Sequence, residues 1–226
     1  MHSQNEDAPP LPTAVAKDAQ RLFSKHEELS QSRVGLVRAY GAIVEVLAEG
    51  GVLYLCGNGG SFADAVHIKG ELAKSFVISR PISDAALGAR LRKFERGERL
   101  LQELEMGFPV VVLGESHSLR SAYENDRDPL LHYAQELNAF AAHLRPGLLM
   151  AISTSGNAEN VCCAMTLARA YEMRTISFTG PGGGKLAELA EIDWRVLGDS
   201  TAEIQEKQII LYHGLCMMIE AHFFAD

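Results

Sequence analysis

The feature that most constrains the fold of this chain is a regular alternation between short apolar runs and helical patterns. The apolar runs lie at Val52–Cys56, Pro109–Leu113, Leu148–Ser153, Thr175–Thr179 and Trp194–Leu197. Most are separated by helical patterns, at Ser61–Phe76, Asp128–His143, Ala158–Tyr171 and Lys185–Ala190. Nearly all-apolar strands that alternate with helices are typical of a parallel sheet covered on both faces. The sequence therefore predicts a doubly wound, three-layer α/β/α fold with about five parallel strands.

Helices are also predicted at both ends of this alternating region. Apolar residues recur at helical spacing over Ala14–Gly50, where two consecutive glycines end the pattern. A long C-terminal helix is predicted over about Ala202–Phe223. Residues 1–13 are largely polar and contain prolines. We therefore expect a flexible N-terminal tail over 1–13, followed by a single domain over 14–226.

One charged segment, at about residues 83–107, interrupts the alternation. It is helical in pattern and lies between the first strand–helix unit and the next strand. Two interpretations remain open: a solvated helical insertion, or a lid or subunit contact.

Composition excludes several function classes. The chain has 226 residues and a formal charge of −8, so it lacks the basic surplus of a nucleic-acid-binding protein. No apolar run approaches the roughly 18 residues that span a bilayer, and the N-terminus lacks the features of a signal peptide. We therefore expect a cytoplasmic protein without a membrane partner. The four cysteines form no C-x-x-C pair, which indicates reduced core thiols.

Two loops that follow apolar runs have the composition of a phosphate site. Gly57–Ser61 reads GNGGS and Ser153–Asn157 reads STSGN, and each precedes a helical pattern. Free backbone N–H groups at a helix start bind anions, and hydroxyls add further donors. Capping a helix needs only one hydroxyl, so two such loops in one sheet predict phosphate binding. A third glycine-rich turn, Thr179–Lys185, is expected to shape the rim of the same cleft.

Two pairs of polar residues have helical spacing. His67 and Glu71 lie four residues apart and share a helix face, while Gln205 and His213 lie eight residues apart on the terminal helix. Two imidazoles, a carboxylate and an amide oxygen suit a borderline metal such as zinc. From spacing alone, the signal for a metal is weak, and a core histidine is the favoured interpretation of His67.

Asn125 and Asp126 follow the second predicted strand after a short connection. Asp126 has two open interpretations: it orients a sugar hydroxyl, or it caps the next helix.

The motifs, taken in order, resemble the sugar isomerase (SIS) domain family and within it the phosphoheptose isomerases. The resemblance covers about residues 14–223. It implies an aldose–ketose isomerase that converts sedoheptulose 7-phosphate to D-glycero-D-manno-heptose 7-phosphate through an enediol, for bacterial heptose and lipopolysaccharide synthesis. It also implies a homotetramer with active sites shared between subunits and one zinc ion per subunit.

The resemblance also assigns roles to individual residues. It implies Glu71 as the catalytic base and His213 as its acid–base partner. The zinc ligands that it implies are His67, Glu71, Gln205 and His213. The substrate contacts that it implies are Asn58, Gly59, Ser61, Glu71, Asp126, Ser153, Thr154, Ser155 and Gln205.

Some positions depart from the family pattern and leave the substrate open. Ala158, Ser75 and Ala202 stand where many members carry serine, arginine and a charged residue. Two rival functions remain: a non-catalytic SIS scaffold that binds the bacterial replication initiator, and an isomerase of another phosphosugar. The presence of both Glu71 and His213 favours an enzyme.

Overall fold

A computed structural model describes residues 11–144 and 146–225. In that part of the chain a parallel sheet has the strand order β2-β1-β3-β4-β5. Its strands are β1 (Val52–Gly57), β2 (Val110–Val112), β3 (Gly147–Ser153), β4 (Arg174–Thr179) and β5 (Ile192–Arg195). The predicted doubly wound α/β class and its five parallel strands are confirmed.

Helices cover both faces of the sheet. They are α1 (Thr13–Lys25), α2 (Arg33–Ala48), α3 (Gly60–Ala73), α4 (Ala85–Leu91), α5 (Gly97–Glu103), α6 (His117–Asp126), α7 (His132–Ala141), α8 (Glu159–Ala170), α9 (Gly184–Leu189) and α10 (Thr201–Phe224). Short 3₁₀ helices lie at Glu27–Ser32 and Pro129–Leu131. Among the helices of the described residues, none has the length and apolarity that crossing a bilayer requires.

Alternate residues of the central strands enter two separate cores. On one face, Leu53 and Leu55 of β1 pack with α1, α2, α3 and α10. On the other face, Tyr54 and Cys56 pack with α7, α8 and α9. Burial on both faces explains why the strands are apolar throughout rather than alternating.

The N-terminal helical region differs from the prediction. The single helix expected over Ala14–Gly50 is two helices, α1 and α2, because His26 leaves helical geometry (φ −132°) and a 3₁₀ segment follows. Ser32 ends that segment and donates its hydroxyl to the Arg195 carbonyl, 2.7 Å away, which ties it to the end of β5. Residues 1–10 of the predicted tail lie outside the described residues, and α1 already begins at Thr13.

Two further elements differ from the prediction. The last strand begins at Ile192 rather than Trp194, because Ile192 and Trp194 both enter the core, whereas Leu197 is 43% exposed. Helix α6 was not predicted, because none of its residues is buried and it lacks an apolar stripe.

The cysteine prediction is confirmed: all four thiols are free, and three of them are buried.

The charged segment contains α4 and α5, which cover most of residues 85–103. Asp84 caps α4 by accepting from the N–H groups of Ala86 and Leu87. A bridge between Pro81 and Glu105 closes the base of the segment. Its role as a solvated insertion, a lid or a subunit contact stays a prediction.

Candidate active site

The two predicted phosphate loops meet at one edge of the sheet. β1 and β3 are neighbours, with Gly57 opposite Ile152. From β1 the chain passes to β2 on one side, and from β3 it passes to β4 on the other. This change of direction is a topological switch point, where doubly wound folds bind ligands outside the carboxyl ends of the strands. Gly57–Ser61 and Ser153–Asn157 flank that crevice.

The Gly57–Ser61 loop is held by residues of α7 and α8, which cover the face of the sheet opposite α3. Asn58 and Asn160 exchange two amide hydrogen bonds of 2.9 Å. The Tyr133 hydroxyl donates to the Gly57 carbonyl and also lies 3.1 Å from Asn58 Oδ1. Sequence reasoning missed both Asn160 and Tyr133. Asn160 lies three residues after STSGN, and only the adjacency of β1 and β3 brings it to Asn58.

The Ser153–Asn157 loop is braced by the third glycine-rich turn. Gly156 has φ +66°, and its N–H lies 3.1 Å from the Ser153 carbonyl. The Leu186 N–H donates to the Gly156 carbonyl at 2.9 Å, and the Gly180 N–H donates to the Thr154 carbonyl at 3.0 Å. Ser153 is buried, while Ser155 is exposed. The turn at Thr179–Lys185 therefore fixes the backbone of the Ser153–Asn157 loop and leaves the Ser155 side chain exposed.

A compact polar cluster lies farther along, between α3 and α10. His67 Nε2 is 3.1 Å from Glu71 Oε1 and 3.4 Å from His213 Nε2. One ligand atom from each of the three residues lies within 4.8 Å of the others. Their side chains are partly exposed, 38% for His67 and 16% for Glu71. The structure thus brings together three of the four predicted zinc ligands.

Two of the three separations in the cluster suit a tetrahedral zinc site. Tetrahedral zinc with bonds of about 2.0–2.1 Å places neighbouring ligand atoms about 3.3 Å apart. The separations of 3.1 and 3.4 Å centred on His67 Nε2 agree with that spacing. Burial lowers the pKa of His213, the nearby His67 lowers it further, and Glu71 opposes the shift. A neutral imidazole is the form that binds metal, so the donor set fits zinc.

Gln205, the fourth predicted ligand, contacts the start of α3. Its carboxamide lies over Gly60, where an added Cβ would stand 2.3 Å from Gln205 Nε2. Its role as a zinc ligand stays a prediction.

Asp126 lies at the exposed C-terminal end of α6 and accepts a hydrogen bond from the Asn125 amide at 2.9 Å. Asp128, not Asp126, caps the 3₁₀ helix that follows. The capping interpretation of Asp126 is therefore wrong, and its predicted sugar contact stays a prediction.

A buried ion pair links the segment after Glu71 to α10. Arg80 and Glu220 are fully buried, with Arg80 Nε 2.7 Å from Glu220 Oε1. Glu220 also accepts from the backbone N–H groups of residues 76–78 at 2.8–3.0 Å. Arg80 donates to the Leu72 carbonyl at 3.0 Å. The end of α3, which carries Glu71, is therefore tied to the helix that carries His213.

The fold and the site define a sugar-phosphate isomerase of the SIS class, with a glycine-rich loop and a hydroxyl-rich loop at the switch point and a His–Glu–His cluster between α3 and α10. The chain is 32% identical over 224 residues to the phosphoheptose isomerase of Desulfovibrio desulfuricans, covering 98% of this chain and 92% of that protein. It is 35% identical over 219 residues to that of Bordetella avium, covering 95% of each. No protein-family model matches the chain. The chain belongs to the phosphoheptose isomerase family.

Solved structures agree with that assignment. The phosphoheptose isomerase from Neisseria gonorrhoeae superposes with a TM-score of 0.65 at 26% identity, covering 92% of this chain and 91% of that chain. The enzyme from Francisella tularensis gives a TM-score of 0.66 at 26% identity, covering 88% and 96%.

Proposed function

We propose that this protein is an aldose–ketose isomerase that converts sedoheptulose 7-phosphate to D-glycero-D-manno-heptose 7-phosphate. The observation that carries the proposal is the partly exposed cluster of His67, Glu71 and His213 in a chain of the phosphoheptose isomerase family. A non-catalytic scaffold has no need of a carboxylate and two imidazoles in contact and open to solvent.

In this proposal the substrate phosphate binds at the switch point. Ser155 is exposed beside backbone N–H groups, and Ser61 lies in the first turn of α3. Both loops precede helices, whose N-termini favour anions. Phosphate binding remote from the reacting carbons supplies binding energy that orients the open-chain sugar.

The proposed chemistry moves one carbon-bound proton between C2 and C1. The Glu71 carboxylate takes the proton to give an enediol and returns it to the neighbouring carbon, while His213 moves protons between the two sugar oxygens. The two oxygens of Glu71 have different surroundings: Oε1 faces His67, and Oε2 is 3.8 Å from Lys74 Nζ. His67, Glu71 and His213, with Gln205 as the remaining predicted ligand, would hold zinc, which supplies Lewis-acid stabilisation of negative charge on the sugar oxygens.

The resemblance implies a homotetramer with active sites shared between subunits, and both features are part of this proposal.

The other details stay predictions: one zinc per subunit, a cytoplasmic location, and a role in heptose supply for lipopolysaccharide. The domain limits and the contacts assigned to Asn58, Gly59, Ser61, Asp126, Ser153, Thr154, Ser155 and Gln205 are likewise part of the proposal.

The direct test is a coupled isomerase assay with sedoheptulose 7-phosphate, run beside pentose and hexose phosphates. We expect turnover of the heptose phosphate and a loss of at least about 100-fold in Glu71→Gln. Glu45→Gln is the matched control, because Glu45 is an exposed partner of Arg174 where β4 begins. Full activity in Glu71→Gln would refute its role as the base, and absence of turnover on every sugar phosphate would refute the enzyme.

A further inference from the structure

His67 is linked on its outer side to two residues that have no assigned role. Its Nδ1 lies 2.9 Å from the Tyr212 hydroxyl, and that hydroxyl lies 3.3 Å from Asp64 Oδ1. Tyr212 is 1% exposed and immediately precedes His213 on α10. Asp64 lies on α3, one turn before His67. The chain Asp64–Tyr212–His67 thus ends on the ring whose other nitrogen faces Glu71 and His213.

The single proton of the Tyr212 hydroxyl decides the direction of the hydrogen bonds from Asp64 through Tyr212 to His67. It can be donated to Asp64 or to His67 Nδ1, but not to both. Asp64 Oδ2 is buried and has no hydrogen-bond partner among the described residues, so Tyr212 is the donor on which this carboxylate depends. An anionic acceptor forms the stronger hydrogen bond. The tyrosine oxygen then accepts, and Nδ1 of His67 carries a proton that it donates to Tyr212.

This orientation determines the state of the opposite ring nitrogen. In a neutral imidazole only one nitrogen carries a proton, so protonated Nδ1 leaves the lone pair on Nε2 directed at the cluster. Without the link, the nearby Glu71 Oε1, at 3.1 Å, would favour a proton on Nε2. That proton would occupy the position that a metal needs.

We propose that Tyr212 and Asp64 are positioning residues that hold His67 in the tautomer with Nε2 free to bind zinc. The inference rests on the proposed zinc site and deepens it. It gives Asp64 and Tyr212 a physical role that sequence reasoning missed. Outer partners of metal-bound histidines commonly act in this way and are worth about 10–100-fold in metal affinity.

The test measures zinc affinity by titrating the metal-free protein against a chromophoric chelator. Tyr212→Phe keeps the ring and removes only the hydroxyl, and we expect its zinc Kd to rise about 10–100-fold. Asp64→Asn keeps the shape and removes the charge, and we expect a smaller rise. Tyr40→Phe is the matched control, because Tyr40 is also buried and its hydroxyl bonds His222 Nδ1 at 2.7 Å. Its Kd should stay within twofold of wild type.

A second readout is independent of affinity. In the zinc-loaded wild-type protein, ¹⁵N NMR should show a slowly exchanging Nδ1–H proton on His67, and Tyr212→Phe should lose that protection. If wild type binds zinc and both variants keep its Kd within twofold, the positioning role is wrong and the zinc site stands. If wild type binds no zinc, the zinc site and the positioning role both fail. If Tyr212→Phe unfolds while Tyr40→Phe does not, Asp64→Asn alone decides.

Discussion

Glu220 should be among the most sensitive positions in the molecule, although it touches no substrate. Its two carboxylate oxygens accept four hydrogen bonds, from Arg80 Nε and the N–H groups of Phe76, Val77 and Ile78. Glu220→Gln replaces one oxygen with an NH₂ group, so two buried donors lose their acceptor, at about 1–3 kcal/mol each. It also leaves the Arg80 cation without a counter-charge. Breaking one side of a buried pair costs about 3–5 kcal/mol.

For a domain of this size, a loss of about 3–5 kcal/mol in the free energy of unfolding lowers Tm by roughly 6–20 °C. Differential scanning calorimetry at pH 7 measures it, with Glu191→Gln as control, because the Glu191–Arg174 pair is exposed and worth about 1 kcal/mol or less. The double variant Arg80→Met, Glu220→Leu separates charge from hydrogen bonding. Removing a simple buried pair is often harmless, but here three backbone N–H groups would stay unpaired. A Tm within about 2 °C of wild type for Glu220→Gln, or for the double variant, would refute the reasoning.

Three further predictions concern the loops and the thiols. Gly156→Ala should lower Tm strongly and abolish inorganic phosphate binding by calorimetry, because the new Cβ would stand 1.9 Å from the Gly183 carbonyl oxygen at φ +66°; an unchanged Tm would contradict the interlocked loops. Ser155→Ala should raise KM at least about tenfold with little change in kcat, since it removes a phosphate donor; an unchanged KM would argue against the phosphate cradle. Burial raises the pKa of Cys56 to about 12, so iodoacetamide at pH 8 should label the partly exposed Cys163 first in mass spectra; faster labelling of Cys56 would contradict its burial.

Local patterns account for the parts of the fold that could be predicted. Apolar strands, glycine-rich turns and helical periodicity each lie within a few neighbouring residues, so β1, β3 and the loops that follow them could be predicted from the sequence. The break between α1 and α2 could not, because Glu27–Ser32 contains neither glycine nor proline, and the contact that ties its end to β5 joins residues 163 positions apart. Helix α6 was missed because it has no buried face.

In the candidate site, too, residues close in sequence could be paired in advance, and residues distant in sequence could not. His67 and Glu71 could be paired from their four-residue spacing, and resemblance added His213. Tyr212 and Asp64 lie 148 positions apart, and Arg80 and Glu220 lie 140 apart, so no local pattern connects them. The assignment of Gln205 as a zinc ligand stays a prediction: the sequence gives its spacing from His213, and the structure shows its carboxamide beside Gly60.

The closed base of the charged segment has a consequence for how this protein can diverge. Pro81 and Glu105 are bridged, and Met106 donates its N–H to the Arg80 carbonyl at 2.6 Å. Both ends of the excursion are therefore fixed beside each other, whatever lies between them. Closing a longer or shorter excursion changes the entropy only slowly with length. The length of the segment over residues 82–104 could therefore change with little effect on the position of its two ends.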